Sequence, residues 1–119
     1  MPAYPNREDA LALLHEYTRT DSLRRHALGV EQAMRKMSEK YGGDIDEWGM
    51  TGLLHDFDYE MYPSIEEHPF RGNKILKRRG YPETICRAIM GHATYTGIPR
   101  DTDMARALFS VDELTGFIF

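Results

Sequence analysis

Six side chains in this sequence are of the types that bind divalent cations: His26, the adjacent pair His55-Asp56, His68, His92 and Asp112. Neutral imidazole nitrogen and carboxylate oxygen are the usual protein ligands of Zn, Fe, Mn, Co and Ni. The set contains no sulfur. Closed structural zinc sites usually draw on cysteine, so this donor set fits a catalytic centre better. It can hold one or two divalent ions, with Mn, Fe, Ni, Co, Zn and Mg as the candidates. His15 alone among the five histidines stands outside it and reads as a solvent-edge helix residue. Each member also has a plainer reading when taken alone. A histidine on an apolar stripe is commonly a hydrogen-bonded core residue, His68 beside Pro69 could be a helix cap, and Asp112 is exposed if its helix is out of phase by one residue.

The elements that must carry these residues read as a run of helices. Asn6 caps a first helix over about 7–17, with Asp9 three residues on. Asp21 or Ser22 caps a second over about 23–40, whose apolar positions Leu23, Ala27, Val30, Ala33/Met34, Met37 and Tyr41 keep helical spacing. Gly42-Gly43 ends it. Asp44 or Asp46 opens a third over about 47–56, in which Gly49 and Gly52 suggest close approach of a neighbouring backbone. A loop over 58–63 follows. Ser64-x-x-Glu67 has the capping-box pattern and Pro69 suits a first helical position, for a fourth helix running to about Arg79. A fifth spans about 82–92, a loop 93–100, and Asp101 or Thr102 caps a sixth from Asp103 onward. No stretch keeps the period-two alternation of a strand. The expectation is an all-α bundle of about six helices. His26 falls on the apolar face of the second helix, His55-Asp56 at the end of the third, His92 at the end of the fifth and Asp112 on the buried stripe of the sixth. A buried carboxylate costs several kcal/mol unless it is paired or metal-bound.

The chain has 119 residues, 41% of them hydrophobic, which fits one domain over residues 1–119 with one core. No apolar run approaches the ~20 residues of a membrane span, and no export signal is visible at the N-terminus. The single cysteine, Cys86, excludes an intrachain disulfide framework, reads as core, and suits a reducing, cytoplasmic setting. A net charge of −4, from 19 acidic and 15 basic residues, argues against duplex nucleic acid as partner. The ending Gly116-Phe117-Ile118-Phe119 is apolar and lacks a stop signal, so either it packs into the core, or it forms an interface in an oligomer, or more chain follows in the native protein.

Order and spacing resemble the HD superfamily of metal-dependent phosphohydrolases, whose signature is His…His-Asp…Asp in a helical bundle. The resemblance rests on His26, Gly52-Leu53-Leu54-His55-Asp56 and Asp112, and extends through Glu66-Glu67-His68-Pro69, the segment Gly91-His92-Ala93-Thr94-Tyr95-Thr96-Gly97, and Val111-Asp112-Glu113-Leu114-Thr115-Gly116. It covers about residues 20–116 and is closest to small HDIG-type hydrolases, with Phe57-Asp58 in place of the Ile-Gly that follows His-Asp there. The resemblance implies that His26, His55, Asp56 and Asp112 hold a first ion, that Asp56 bridges, and that His68 and His92 complete a second site. It implies hydrolysis of a phosphate mono- or diester of a small molecule or nucleotide by a metal-activated hydroxide, since a bound ion lowers the pKa of its water toward ~7.

Around that centre, Asp56, Lys74 and Arg25 are the candidate catalytic residues, and Arg71, Thr96 and Arg100 the candidate substrate contacts. Asp58 and Tyr59 lie just beyond the metal pair as a base or hydrogen-bond partner. Two other functions share the pattern. The six-ligand set also resembles the mixed-valent di-iron oxygenases of the same superfamily, such as inositol oxygenase and the phosphonate-cleaving enzymes. A helical domain that binds a nucleotide or partner and keeps a vestigial site is the non-catalytic alternative.

Overall fold

The computed structural model describes residues 5–116, with side chains through residue 114. The helices are α1 (Arg7–Tyr17), α2 (Asp21–Tyr41), α3 (Ile45–Leu54), α4 (Phe70–Arg78), α5 (Glu83–Gly91) and α6 (Asp103–Gly116), with one turn of 3-10 helix at Thr94–Thr96. No strand occurs among the described residues, and the fold is all-α. The apolar ending expected to pack, pair or continue falls at 117–119, outside the described residues. No helix is long and apolar enough to cross a membrane.

Helix α3 is the axis of the bundle. Every residue from Trp48 to Leu54 is buried, as expected for a segment with almost no polar face. It packs on α1, α2, α5 and α6. Gly52 allows the closest of these approaches: a Cβ there would stand 2.8 Å from the Val30 carbonyl oxygen and 2.9 Å from Met34 Cγ. The expectation of backbone approach therefore holds at Gly52. At Gly49 the neighbour is instead the Arg35 guanidinium, 2.5 Å from where a Cβ would lie. Leu13, Leu14, Val30, Met34, Leu53, Leu54, Phe57, Leu76, Ile85, Ile89 and Leu108 fill the core. Cys86 lies fully inside it, where burial pushes its thiol up to about 11.

Local capping works where the sequence predicts it at α1 and α6. Asn6 and Asp9 form a reciprocal capping box, and the Thr102 hydroxyl accepts from Ala105 N at 3.0 Å. Two helices start otherwise, and one segment causes both departures. Helix α2 begins at Asp21 with Thr20 at its N-cap, and neither Asp21 nor Ser22 caps it. The Glu60 carboxylate comes from forty residues away to accept from Arg19 N, Thr20 N and the Thr20 hydroxyl, at 3.1, 2.9 and 2.6 Å. Helix α4 begins only at Phe70, with Pro69 at the N-cap position rather than the first turn. The Ser64–Glu67 pattern makes a turn, in which Glu67 N and His68 N both donate to the Ser64 carbonyl. The amide of Gly72, in the first turn of α4, donates to Asp58 Oδ2 at 2.9 Å. Side chains from the turn after α3 thus seat the starts of α2 and α4, which fixes both helices relative to the His-Asp pair.

Candidate metal centre

Two of the histidines are built the same way. Helix α3 ends at Leu54 and α5 at Gly91, so His55 and His92 are the respective C-cap residues. In each, ring Nδ1 reaches back three residues to a carbonyl: His55 to Gly52 O at 2.7 Å, His92 to Ile89 O at 2.5 Å. A carbonyl only accepts, so Nδ1 carries the proton and the Nε2 lone pair points forward. His68 is held differently. Its Nδ1 donates to Asp58 Oδ1 at 2.6 Å, and Tyr95 donates to its carbonyl at 2.5 Å. His26 comes from the interior-facing stripe of α2, one turn before Val30.

All four rings present Nε2 to two carboxylates. Asp112 Oδ1 lies 3.2 Å from His26 Nε2 and 3.1 Å from His55 Nε2. Asp56 turns one oxygen each way: Oδ2 is 3.4 Å from His55 Nε2, while Oδ1 is 3.1 Å from both His68 Nε2 and His92 Nε2. The donors form two groups that share Asp56, namely His26, His55, Asp56 and Asp112, and Asp56, His68 and His92, with one donor atom from each residue within 4.8 Å of the others. The imidazoles are largely enclosed, with side-chain exposure from 0% at His55 to 14% at His26. The two aspartates are each 26% exposed, so they are less buried than their helical phase suggests, and the centre opens to solvent on their side.

The electrostatics describe a site short of positive charge. Burial disfavours an imidazolium at His55, but the carboxylates of Asp56 and Asp112 outweigh it and raise the ring to about 9. His68 is likewise pushed to about 9, burial being overcome by hydrogen bonds and charge from Asp56 and Asp58. Burial also opposes ionisation of Asp56. The His55 charge and hydrogen bonds from His68 and His92 nevertheless hold that carboxyl well below the usual range. Asp112 is lowered in the same way by His26 and His55 against the cost of burial. Without another cation, protons on the rings must neutralise the carboxylates. A divalent cation takes over that task and uses the forward lone pairs, so the donor chemistry fits a metal in both groups.

A family model for the HD domain matches residues 23–115 of the 119. The chain belongs to the HD domain family. No curated protein and no solved structure gives a significant match. HD domains bind divalent metals, and the family is generally one of metal-dependent hydrolases. In this HD domain, His26, His55, Asp56 and Asp112 come from α2, the end of α3 and α6, the elements that the family match spans.

The remaining candidates are not among the donors of either group. Arg25 and Lys74 are exposed. Arg25, one residue before His26 on α2, is turned about 100° away from it, and Lys74 lies within α4, six residues after His68. Arg71 is exposed, with its guanidinium over the Tyr62 ring at 5.4 Å and 3.5 Å from Glu67. The Thr96 hydroxyl braces its own turn, 2.9 Å from the Met90 and Ala93 carbonyls. Arg100 donates to Gly91 O at 2.7 Å and lies over the Phe109 ring at 4.0 Å, holding the loop to the end of α5 and the middle of α6. His15 is exposed and outside the centre. Residue types alone pass over the Gly52 and Ile89 carbonyls and the Tyr95 hydroxyl. For the carbonyls a signal existed, since a histidine just past the last turn of a helix can bond its free carbonyls.

Proposed function

We propose that this HD domain hydrolyses a phosphate mono- or diester of a small molecule or nucleotide in a metal-dependent reaction. The observation that carries the reading is the sharing of Asp56 between two His/Asp groups, one oxygen turned to each. His26, His55, Asp56 and Asp112 would hold one ion, and Asp56, His68 and His92 a second. Bound there, divalent ions supply Lewis acidity toward phosphoryl oxygens and an acidified water at neutral pH.

The chain's own residues prepare that chemistry. The Gly52 and Ile89 carbonyls fix the tautomer and aim of His55 and His92, so the rings need no reorientation on loading. Asp56 and Asp112 leave the centre open on their side, where a phosphate ester can approach. Arg25 and Lys74, exposed nearby in sequence, and Arg71 are the side chains proposed to attract the anion, with Thr96 and Arg100 shaping the loop beyond His92. The described side chains place no serine or cysteine nucleophile among the donors, and Cys86 is sealed in the core.

The test is hydrolysis of aryl phosphates and a nucleotide panel by purified protein loaded in turn with Mn, Fe, Co, Ni, Zn and Mg. Activity that disappears in His55→Ala supports the reading, and inactivity with every metal removes it. The two histidines of the second group also suit an iron pair, which favours the oxygenase as second reading. Substrate-dependent oxygen uptake by the iron-loaded protein, without phosphate release, would move the assignment there.

A further inference from the structure

The histidines of the centre are not all supported alike. His55 and His92 give Nδ1–H to neutral backbone carbonyls, whereas His68 gives it to a carboxylate. That carboxylate belongs to Asp58, which is 1% exposed and whose other oxygen accepts from Gly72 N at 2.9 Å. Gly72 is the residue that makes room for it: a Cβ there would stand 2.8 Å from Asp58 Cγ and 3.0 Å from Phe57 Cε1. A buried carboxylate is costly unless its oxygens are satisfied, and here one oxygen is used on the first turn of α4 and the other on a ring. A helix cap alone needs one oxygen, at less burial.

We infer that Asp58 is a positioning residue that orients His68 and makes it a more strongly donating imidazole than His55 or His92, so that Asp58 governs occupancy of the group formed by Asp56, His68 and His92. This rests on the proposed two-ion reading and deepens it. A carboxylate accepting from Nδ1–H draws the ring toward imidazolate character and raises the basicity of Nε2, more than a carbonyl does. The group it supports has three protein donors against four in the other, so it depends more on the quality of each. The four-donor group is linked to His68 and Asp58 through Asp56, which both groups share, while its His55 ring is held by the Gly52 carbonyl instead.

Titration of metal-free protein with manganese(II), followed by calorimetry, separates the two groups. In Asp58→Asn the weaker of the two binding events should lose about 10–100-fold in affinity, as for other partners behind a metal-bound histidine, with the tighter event unchanged. Gly72→Ala, which presses on Asp58, should weaken the same event. Equal loss at both, or no change at either, overturns the inference. Absence of any binding by the unsubstituted protein removes the two-ion reading and this inference with it, an outcome visible before any variant is made. Should Asp58→Asn fail to fold, nitrogen-15 NMR of the unsubstituted, zinc-loaded protein decides. A proton on His68 Nδ1 with Nε2 bound to metal is expected, and a His68 ring bound through Nδ1 contradicts the assignment.

Discussion

Gly29 and Gly52 are both helical glycines, and replacing each with alanine should move stability in opposite directions. Alanine in a helix interior is favoured over glycine by about 1 kcal/mol. At Gly29, on the exposed side of α2, a Cβ meets nothing within 4 Å. Gly29→Ala should therefore gain about 1 kcal/mol, or about 3–6 °C in Tm for a chain of this length. At Gly52 the same methyl stands 2.8 Å from the Val30 carbonyl oxygen and 3.0 Å from its carbon. Met34 can turn its side chain aside, but Val30 lies inside α2 and its carbonyl cannot move without bending the helix. Overpacking of this kind costs about 1–3 kcal/mol, which outweighs the propensity gain. Less the propensity gain of about 1 kcal/mol, the net loss is up to about 2 kcal/mol, or up to about 12 °C. Thermal unfolding of both variants by circular dichroism, in chelator to remove any metal contribution, measures the difference. Equal stabilisation by both substitutions would refute the close packing of α2 on α3 that brings His26 to His55.

The remaining predictions concern the centre itself. Asp56→Ala should abolish both metal-binding events, because one oxygen serves each group. His26→Ala should damage only the four-donor group, and His92→Ala only the three-donor group. Calorimetric titration distinguishes these patterns, and a one-site loss in Asp56→Ala contradicts the bridging role. For pH, His55 and His68 are raised to about 9, so their contribution to the metal-free protein is complete below about 6.5 and is lost as pH rises toward 9. Asp56 and Asp112 are lowered, so their contribution is present above the ordinary carboxylate range and fails only in acid. Metal binding must displace the ring protons, so apparent affinity should climb with pH up to about 9, by as much as about 100-fold per unit when two protons leave. Melting temperature should accordingly fall between pH 6.5 and 9 in chelator and rise over the same range in excess metal; parallel slopes would contradict the linkage.

The fold was legible wherever its signals were local. The stripe of α2, the Asn6-Asp9 box, the Gly42 stop and the Thr102 cap are all decided within one or two turns, and the sequence pattern shows them. The starts of α2 and α4 were not, because Glu60 and Asp58 reach them from a separate turn, and no rule based on neighbouring residues anticipates a carboxylate forty or fourteen positions away. Buried Glu31, with its side chain 0% exposed between Arg7 and Arg35, escaped for the same reason. At the centre, donor types, helical phase and the resemblance to the HD superfamily together identified the six side chains that meet. Support of the rings was harder to read, since it depends on backbone carbonyls and on Gly72 leaving space. Thr96 and Arg100 looked like substrate contacts from their place after His92, yet both make bonds that hold the loop.

Crystals soaked in manganese(II), with anomalous diffraction recorded near the metal edge, address the six-residue centre most directly. A peak enclosed by His26, His55, Asp56 and Asp112 is expected, with a second, weaker at low metal, between Asp56, His68 and His92. Well-diffracting crystals without a peak in either position, or with manganese only on the outer surface, would contradict a metal centre in this protein.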